Sequence, residues 1–269
     1  MQILKSKDDF ATLTDNKIIG AENIELHNSS IRFNGKGNIL FCEENVRLYN
    51  SQIKFLGDDC IIYLSSNKHC YYLDVSAYKN SVFYIGKNNF INGAIHAVLS
   101  EQKNVFIGDD GLFSFDIWIR TADPHLVYSA KSKKRVNPSK SVFIGDHVWI
   151  GQSVFILKGT HIGSGSIVGA AAVCSGKELA SNSSFGGNPV KQIGEDVFWT
   201  SDCVHTWDDE MTKEHETYYG DEYIYSADRR ENISFSEIDR ALGKDNLKKK
   251  LKYLQKLSEN RDKNRFYIG

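Results

Sequence analysis

The chain carries eight histidines, and an imidazole, with an ordinary pKa of about 6.5, is the side chain best suited to move a proton near neutrality. His125 has the most suggestive setting: it follows Asp123 and Pro124 in the turn DPHL, inside a stretch, 120–141, that breaks an otherwise regular repeat. A rigid turn of this kind can present an imidazole as a general base. Asp123 reads two ways, as a partner for the imidazole or the acceptor hydroxyls, or as an Asx turn closed by Pro124. Asn137, in the second half of the same stretch, is expected either to hold the loop or to touch the acceptor. His147 falls at an outward repeat position, and His69, His96, His161, His205 and His215 have no supporting context. No CxxC pair occurs among the five cysteines (Cys42, Cys60, Cys70, Cys174, Cys203), so free thiols in a reducing cytoplasm are expected. Cys174 reads as a small core residue and not as a nucleophile.

The elements that must position these residues show themselves as a repeat. From Ile144 the chain reads in sixes: IGDHVW, IGQSVF, ILKGTH, IGSGSI, VGAAAV, CSGKEL, ASNSSF, GGNPVK. The first position is Ile144, Ile150, Ile156, Ile162, Val168, Cys174, Ala180 and Gly186. The second is mostly glycine and the fifth mostly small. Neither a helix of period 3.6 nor a strand of period two asks for this combination. It predicts a coil of short strands, with an aliphatic pointing inward on each side and glycine at the corners. Upstream, Ile24, Ile31, Ile39, Val46, Ile53 and Ile61 recur at spacings of seven or eight, which reads as further coils joined by Asn- and Ser-rich turns. A single domain, 1–191, is therefore expected to be a solenoid interrupted by the 120–141 excursion, the place where function tends to sit.

Beyond residue 191 the pattern ends. An extension, 192–269, is expected to hold one amphipathic helix near 235–258, opened by a capping box of Ser234 and Glu237, with Lys248, Lys249 and Lys250 on or beside its wet face. With 33 Lys+Arg against 34 Asp+Glu the charge is near balance, so no nucleic-acid partner is expected. No stretch of 18 uninterrupted apolar residues and no secretory leader are found, which predicts no membrane span and a cytoplasmic location.

The DPHL and NPSK segments, the run IGDHVWIGQSVFILKGTHIGSGSIVGAAAV and the closing GGNPVKQI together resemble the hexapeptide-repeat acyltransferases. The nearest branch is the galactoside, maltose and capsular polysaccharide or sialic acid O-acetyltransferases. The resemblance spans residues 107 to 199. It implies an all-β fold, a left-handed parallel β-helix, assembled as a homotrimer with acetyl-CoA in grooves between coils and active sites between subunits. It implies His125 as the base and Trp149, 24 residues on, as an indole lining the acceptor and pantetheine site. It places acetyl-CoA contacts at Gln152, Ala170 and Ser175, with Lys177 and Lys191 near the nucleotide phosphates. The chain departs from the family at VCSGK, where one residue reads as inserted ahead of Lys177.

The function so implied is transfer of acetyl from acetyl-CoA to a hydroxyl of a carbohydrate, a capsular or other surface polysaccharide or its precursor. Its base takes the hydroxyl proton, and backbone amides of the Gly- and Ala-rich coils receive the oxyanion. Antibiotics, serine and amino sugars are alternative acceptors on the same scaffold. A zinc enzyme would need three converging histidines; His147 and His161 occupy different repeat positions and lack a third, so no metal is expected.

Overall fold

The computed structural model describes residues 1–243 and 245–269. Short parallel strands stack into two eight-stranded sheets and one six-stranded sheet that form the faces of a triangular prism, with a two-stranded pair, Ile24–His27 and Val46–Tyr49, in the N-terminal coils. Each coil visits the faces in turn. The coil at Val82–Ile85 (first face) continues through Phe90–Ile91 (second) and Ile95–Leu99 (third), and returns to the first at Val105–Ile107. Strand Gln2–Leu4 pairs antiparallel with Ser30–Phe33 and closes the N-terminal end. Lys191–Gly194 pairs antiparallel with Ser184–Gly186 and closes the other. The β-helix expected from the repeat is what the chain forms.

The spacings of seven and eight are explained by the coil length. Ile24 stacks on Val46, Ile31 on Ile53 and Ile39 on Ile61, a period of 22, so each long coil spends about seven residues on a side. Below the excursion the period falls to 18, three hexapeptides. Inward side chains form continuous columns that are fully buried, among them Ile144, Ile150, Ile156 and Ile162, each contributing about 1.5–3 kcal/mol of hydrophobic stabilisation. At the corners, polar columns satisfy the turn backbone: Ser29 Oγ accepts from Ser51 N and Ser51 Oγ from Leu73 N, each at 2.9 Å.

The structure specifies two details of the repeat. Of the two uses of glycine at a corner, positive φ or close backbone approach, the second-position glycines serve close approach: a Cβ on Gly151 would lie 2.6 Å from Ala170 N. Positive φ falls at the fourth position instead, at His147, Ser153, Gly159, Gly165 and Ala171. The weakening of the pattern after Cys174 is a change of frame. The last coil has a period of 17, one residue short where the sequence suggested one inserted. Leu179 and Phe185 therefore point inward in place of Ala180 and Gly186, and the pairing of His161 with Glu178 registers the slip.

The extension also differs. The expected single helix is two, Phe235–Leu242 and Leu247–Glu259, the first opened by the capping box at Ser234 and Glu237. Both pack on the first face, whose outward residues are themselves apolar: Tyr63, Tyr84, Phe106 and Phe143 meet Phe235, Leu254 and Phe266. Lys250 is not on the wet face. It is fully buried, and its Nζ donates to the carbonyl and Oδ1 of Asn80 at 3.1 and 2.6 Å. Arg265 anchors the end of the chain: its Nε and Nη2 reach Asp146 at 2.7 and 2.8 Å, and Nη2 reaches Asp109 at 2.9 Å.

Candidate active site

The excursion is an ordered finger at the corner where the third face passes to the first. Its root is fixed by Thr121, whose Oγ1 accepts from Ser100 N at 2.8 Å and whose carbonyl accepts from Lys140 N at 3.0 Å. Beyond the root the two limbs pair: Val136 N donates to the Val127 carbonyl and Ser129 N to the Lys134 carbonyl, each at 2.9 Å. Arg135 reaches back to Glu101 of the neighbouring coil with two bonds of 2.7 and 2.9 Å, and Ser139 bonds the same carboxylate. Together these lower the Glu101 pKa to about 2, the Arg135 bonds contributing most. The tip exposes Lys131, Lys133 and Lys134.

Asn137 is the keystone of the finger. Its Nδ2 donates to the His125 carbonyl at 2.7 Å and to Asp123 at 3.1 Å, while its Oδ1 accepts from Val127 N at 2.9 Å and from Arg135 Nε at 3.3 Å. A primary amide has two donors and two acceptor sites, so all of its capacity is spent inside the finger. The Asp123 carboxylate pairs with Lys158 Nζ and Asn137. These contacts, Lys158 first, hold its pKa below the usual carboxylate value. No hydrogen bond joins Asp123 to the His125 ring among the described residues. His125 itself is exposed, at the rim of the finger.

The other expected site residues stand elsewhere on the prism. Trp149 lies on the second face, 40% exposed, in a column between Leu112 and Ile167. Gln152 and Ala170 are exposed at the corner between the second and third faces, one above the other, where the Gln152 carbonyl accepts from Ala171 N at 2.8 Å. Ser175 and Lys177 are exposed near the finger's corner, below Leu157 and Lys158, with the Lys177 carbonyl accepting from His161 N at 2.8 Å. Lys191 is exposed on the closing strand of the second face. One chain thus groups Asp123, His125, Asn137, Ser175 and Lys177 at one corner. It carries Trp149 and Lys191 on the opposite face, with Gln152 and Ala170 at that face's edge. His125 and Trp149 can share a site only if a second copy supplies one of them.

Several residues that organise this region were not singled out from the sequence. Lys158 and the Glu101–Arg135 pair fix the finger. His147, outward from the core as expected, is not solvated: it is stacked between Trp199 at 4.0 Å and Tyr223 at 4.6 Å, and its ring bonds the Trp199 carbonyl at 3.0 Å. Burial, only partly offset by that bond, lowers its pKa and keeps it neutral. The only sequence signal for this arrangement was the aromatic richness of 198–225.

No protein-family model matches the chain. A curated relative, the polysialic acid O-acetyltransferase of Escherichia coli O1:K1 / APEC, is 38% identical over 126 residues, which is 47% of this chain and 40% of the relative. The chain therefore matches two fifths of that relative's length. The crystal structure of the polySia-specific acetyltransferase NeuO superimposes with a TM-score of 0.63 at 29% identity, covering 75% of this chain and 95% of that one. The polysialic acid O-acetyltransferase OatWY gives a TM-score of 0.56 at 24% identity, covering 76% and 96%, a likeness of fold. The resemblance to hexapeptide-repeat acyltransferases read from the sequence is borne out by these likenesses.

Proposed function

We propose that the chain is an acetyl-CoA-dependent O-acetyltransferase acting on a surface polysaccharide, with acidic glycans such as polysialic acid as the first acceptors to test. The observation that carries this reading is an ordered finger holding an exposed His125 on a hexapeptide solenoid like that of NeuO. In the reaction an acceptor hydroxyl oxygen attacks the thioester carbonyl carbon as the His125 imidazole takes its proton. The tetrahedral intermediate then collapses, the carbon–sulfur bond breaks, and the leaving thiolate recovers the proton from the imidazolium. Backbone amides of the small-residue coils near Ala170 supply donors for the oxyanion. Trp149 lines the acceptor and pantetheine path, Gln152, Ala170 and Ser175 border it, and Lys177 and Lys191 meet the nucleotide phosphates.

The distribution of these residues over different corners supports a homotrimer in which the finger of one copy meets Trp149 of the next. Among the described residues no helix is long and apolar enough to cross a membrane, and a cytoplasmic location is part of this proposal. The test is thiol release from acetyl-CoA in the presence of oligosialic acid. His125→Ala is expected to lose about 10²–10⁴-fold in turnover, and wild-type turnover in that variant would overturn the mechanism.

A further inference from the structure

Between the second face of the prism and residues 199–225 runs a groove of about 860 Å³, inside the range of about 300–1,000 Å³ common for small-ligand clefts. Its floor continues the column that carries Trp149: Phe90 stacks on Leu112, and Leu112 on Trp149. Its far wall is aromatic, formed by Trp199 and Tyr223, and its rim carries Lys68 and Asn92. Phe90 is 41% exposed and lines this space, with the His69 ring set against it in a T-shaped pair, 4.9 Å between ring centres.

The wall is prebuilt. Tyr223 and Trp199 are locked on either side of His147, and Trp199 Nε1 donates to the His147 carbonyl at 3.0 Å. The same strap is clamped by Asn182, which donates to the Tyr225 carbonyl and accepts from Tyr225 N. Rings fixed before a ligand arrives lose little entropy on binding. Trp199 lies 6.0 Å from Trp149, ring centre to ring centre, so the wall of the groove adjoins the indole that the proposed reaction uses.

We infer that this groove is a second saccharide subsite, which holds the sugar units of the acceptor chain that flank the unit being acetylated. Pyranose rings present apolar C–H faces and a rim of hydroxyls, and the groove answers with the exposed Phe90 ring, the half-buried Tyr223 and a polar edge of Lys68, Asn92, Asp110 and Glu222 that can bond hydroxyls. The inference rests on the proposed function for the identity of the ligand, but the groove itself does not depend on His125.

Phe90→Ala tests it, since Phe90 is exposed and takes no part in the proposed chemistry. Turnover is measured with a dimer and a dodecamer of oligosialic acid as acceptors. The variant is expected to raise KM for the dodecamer about tenfold, with kcat and the dimer kinetics unchanged. Equal effects on both acceptors, or no effect on either, would overturn the subsite while leaving the proposed reaction standing. Binding separates the two ideas from the other side: calorimetric titration of His125→Ala with the dodecamer is expected to give heat that Phe90→Ala in the same background abolishes. If that pattern appears while the wild type turns over no glycan, the subsite stands and the proposed reaction falls. If the dodecamer binds both variants equally, the subsite falls.

Discussion

Replacing Arg265 with alanine should release the C-terminal helices from the solenoid without unwinding it. The guanidinium is 3% exposed and makes two bonds to Asp146, one to Asp109 and two to the carbonyls of Leu257 and Asn260. Burial alone would disfavour its charge, but the Asp146 and Asp109 carboxylates outweigh that and hold it firmly protonated. Alanine leaves two carboxylates that are 5% and 11% exposed. Arg261 still reaches Asp109 at 2.8 Å, whereas Asp146 loses its cation. Breaking a buried pair from one side costs about 3–5 kcal/mol. In a solenoid each coil leans mainly on its neighbours, so the cost should fall on the packing of 235–266 against the first face.

Hydrogen exchange is the assay, because it resolves local opening from global unfolding. Amides of Phe235–Leu242 and Leu247–Glu259 should exchange about a hundredfold faster or more, and those of Val142–Ile144 much less so. The defect should shrink in acid. Asp109 already has its folded pKa raised above the unfolded one, by burial first and by the neighbouring Asp146 charge second, so the penalty of removing Arg265 is largest at neutral pH and fades as Asp109 takes up its proton. Unchanged helix protection at neutral pH would refute the reasoning.

Asn137→Ala should cut kcat by about a hundredfold through misplacement of His125, and Val127 N should lose exchange protection; an unchanged kcat counts against the keystone role. Acidification should loosen the Trp199–Tyr223 strap, because His147 has a folded pKa below its unfolded one, so its contribution is present above about pH 6.5 and is lost as pH falls. The charged neighbour that faces it, Asp110, opposes the shift only in part. Tryptophan fluorescence should follow the loosening, and His147→Phe should abolish the dependence. Gly151→Ala would place a Cβ 2.6 Å from Ala170 N, and calorimetry should find a loss of about 1–3 kcal/mol.

Much of the scaffold was legible because a solenoid writes its geometry locally. Period six fixed the inward column from Ile144 to Cys174, and the loss of that period marked both ends of the finger. The slip after Cys174 was hidden because Ala180 and Gly186 are small enough to pass for weak core positions, while Leu179 and Phe185 fit only once the shorter turn is known. Lys250 was hidden for another reason. A lysine that follows two exposed lysines looks solvated, and only the distant Asn80 shows why it is not. The apolar outward side of the first face, in segments such as VFYI at 82–85, was a readable sign that something covers it, but the sign does not say what. The division of His125 and Trp149 between faces follows from coil counting, which requires the 22- and 18-residue periods that the structure supplies.

Those two periods meet at the finger. The coil above it is wide, the coils below are narrow, and the finger springs from the ledge between them, hung from Ser100 on the wide side by Thr121. Everything placed in the proposed catalytic site other than its Glu101 tether lies at or below that ledge. The wide coils above are interchangeable storeys, each entering and leaving at the same point of the triangle. Their number can therefore drift in whole units of 22 residues across an evolutionary lineage, altering how far the protein reaches along a long substrate while the chemistry stays where it is.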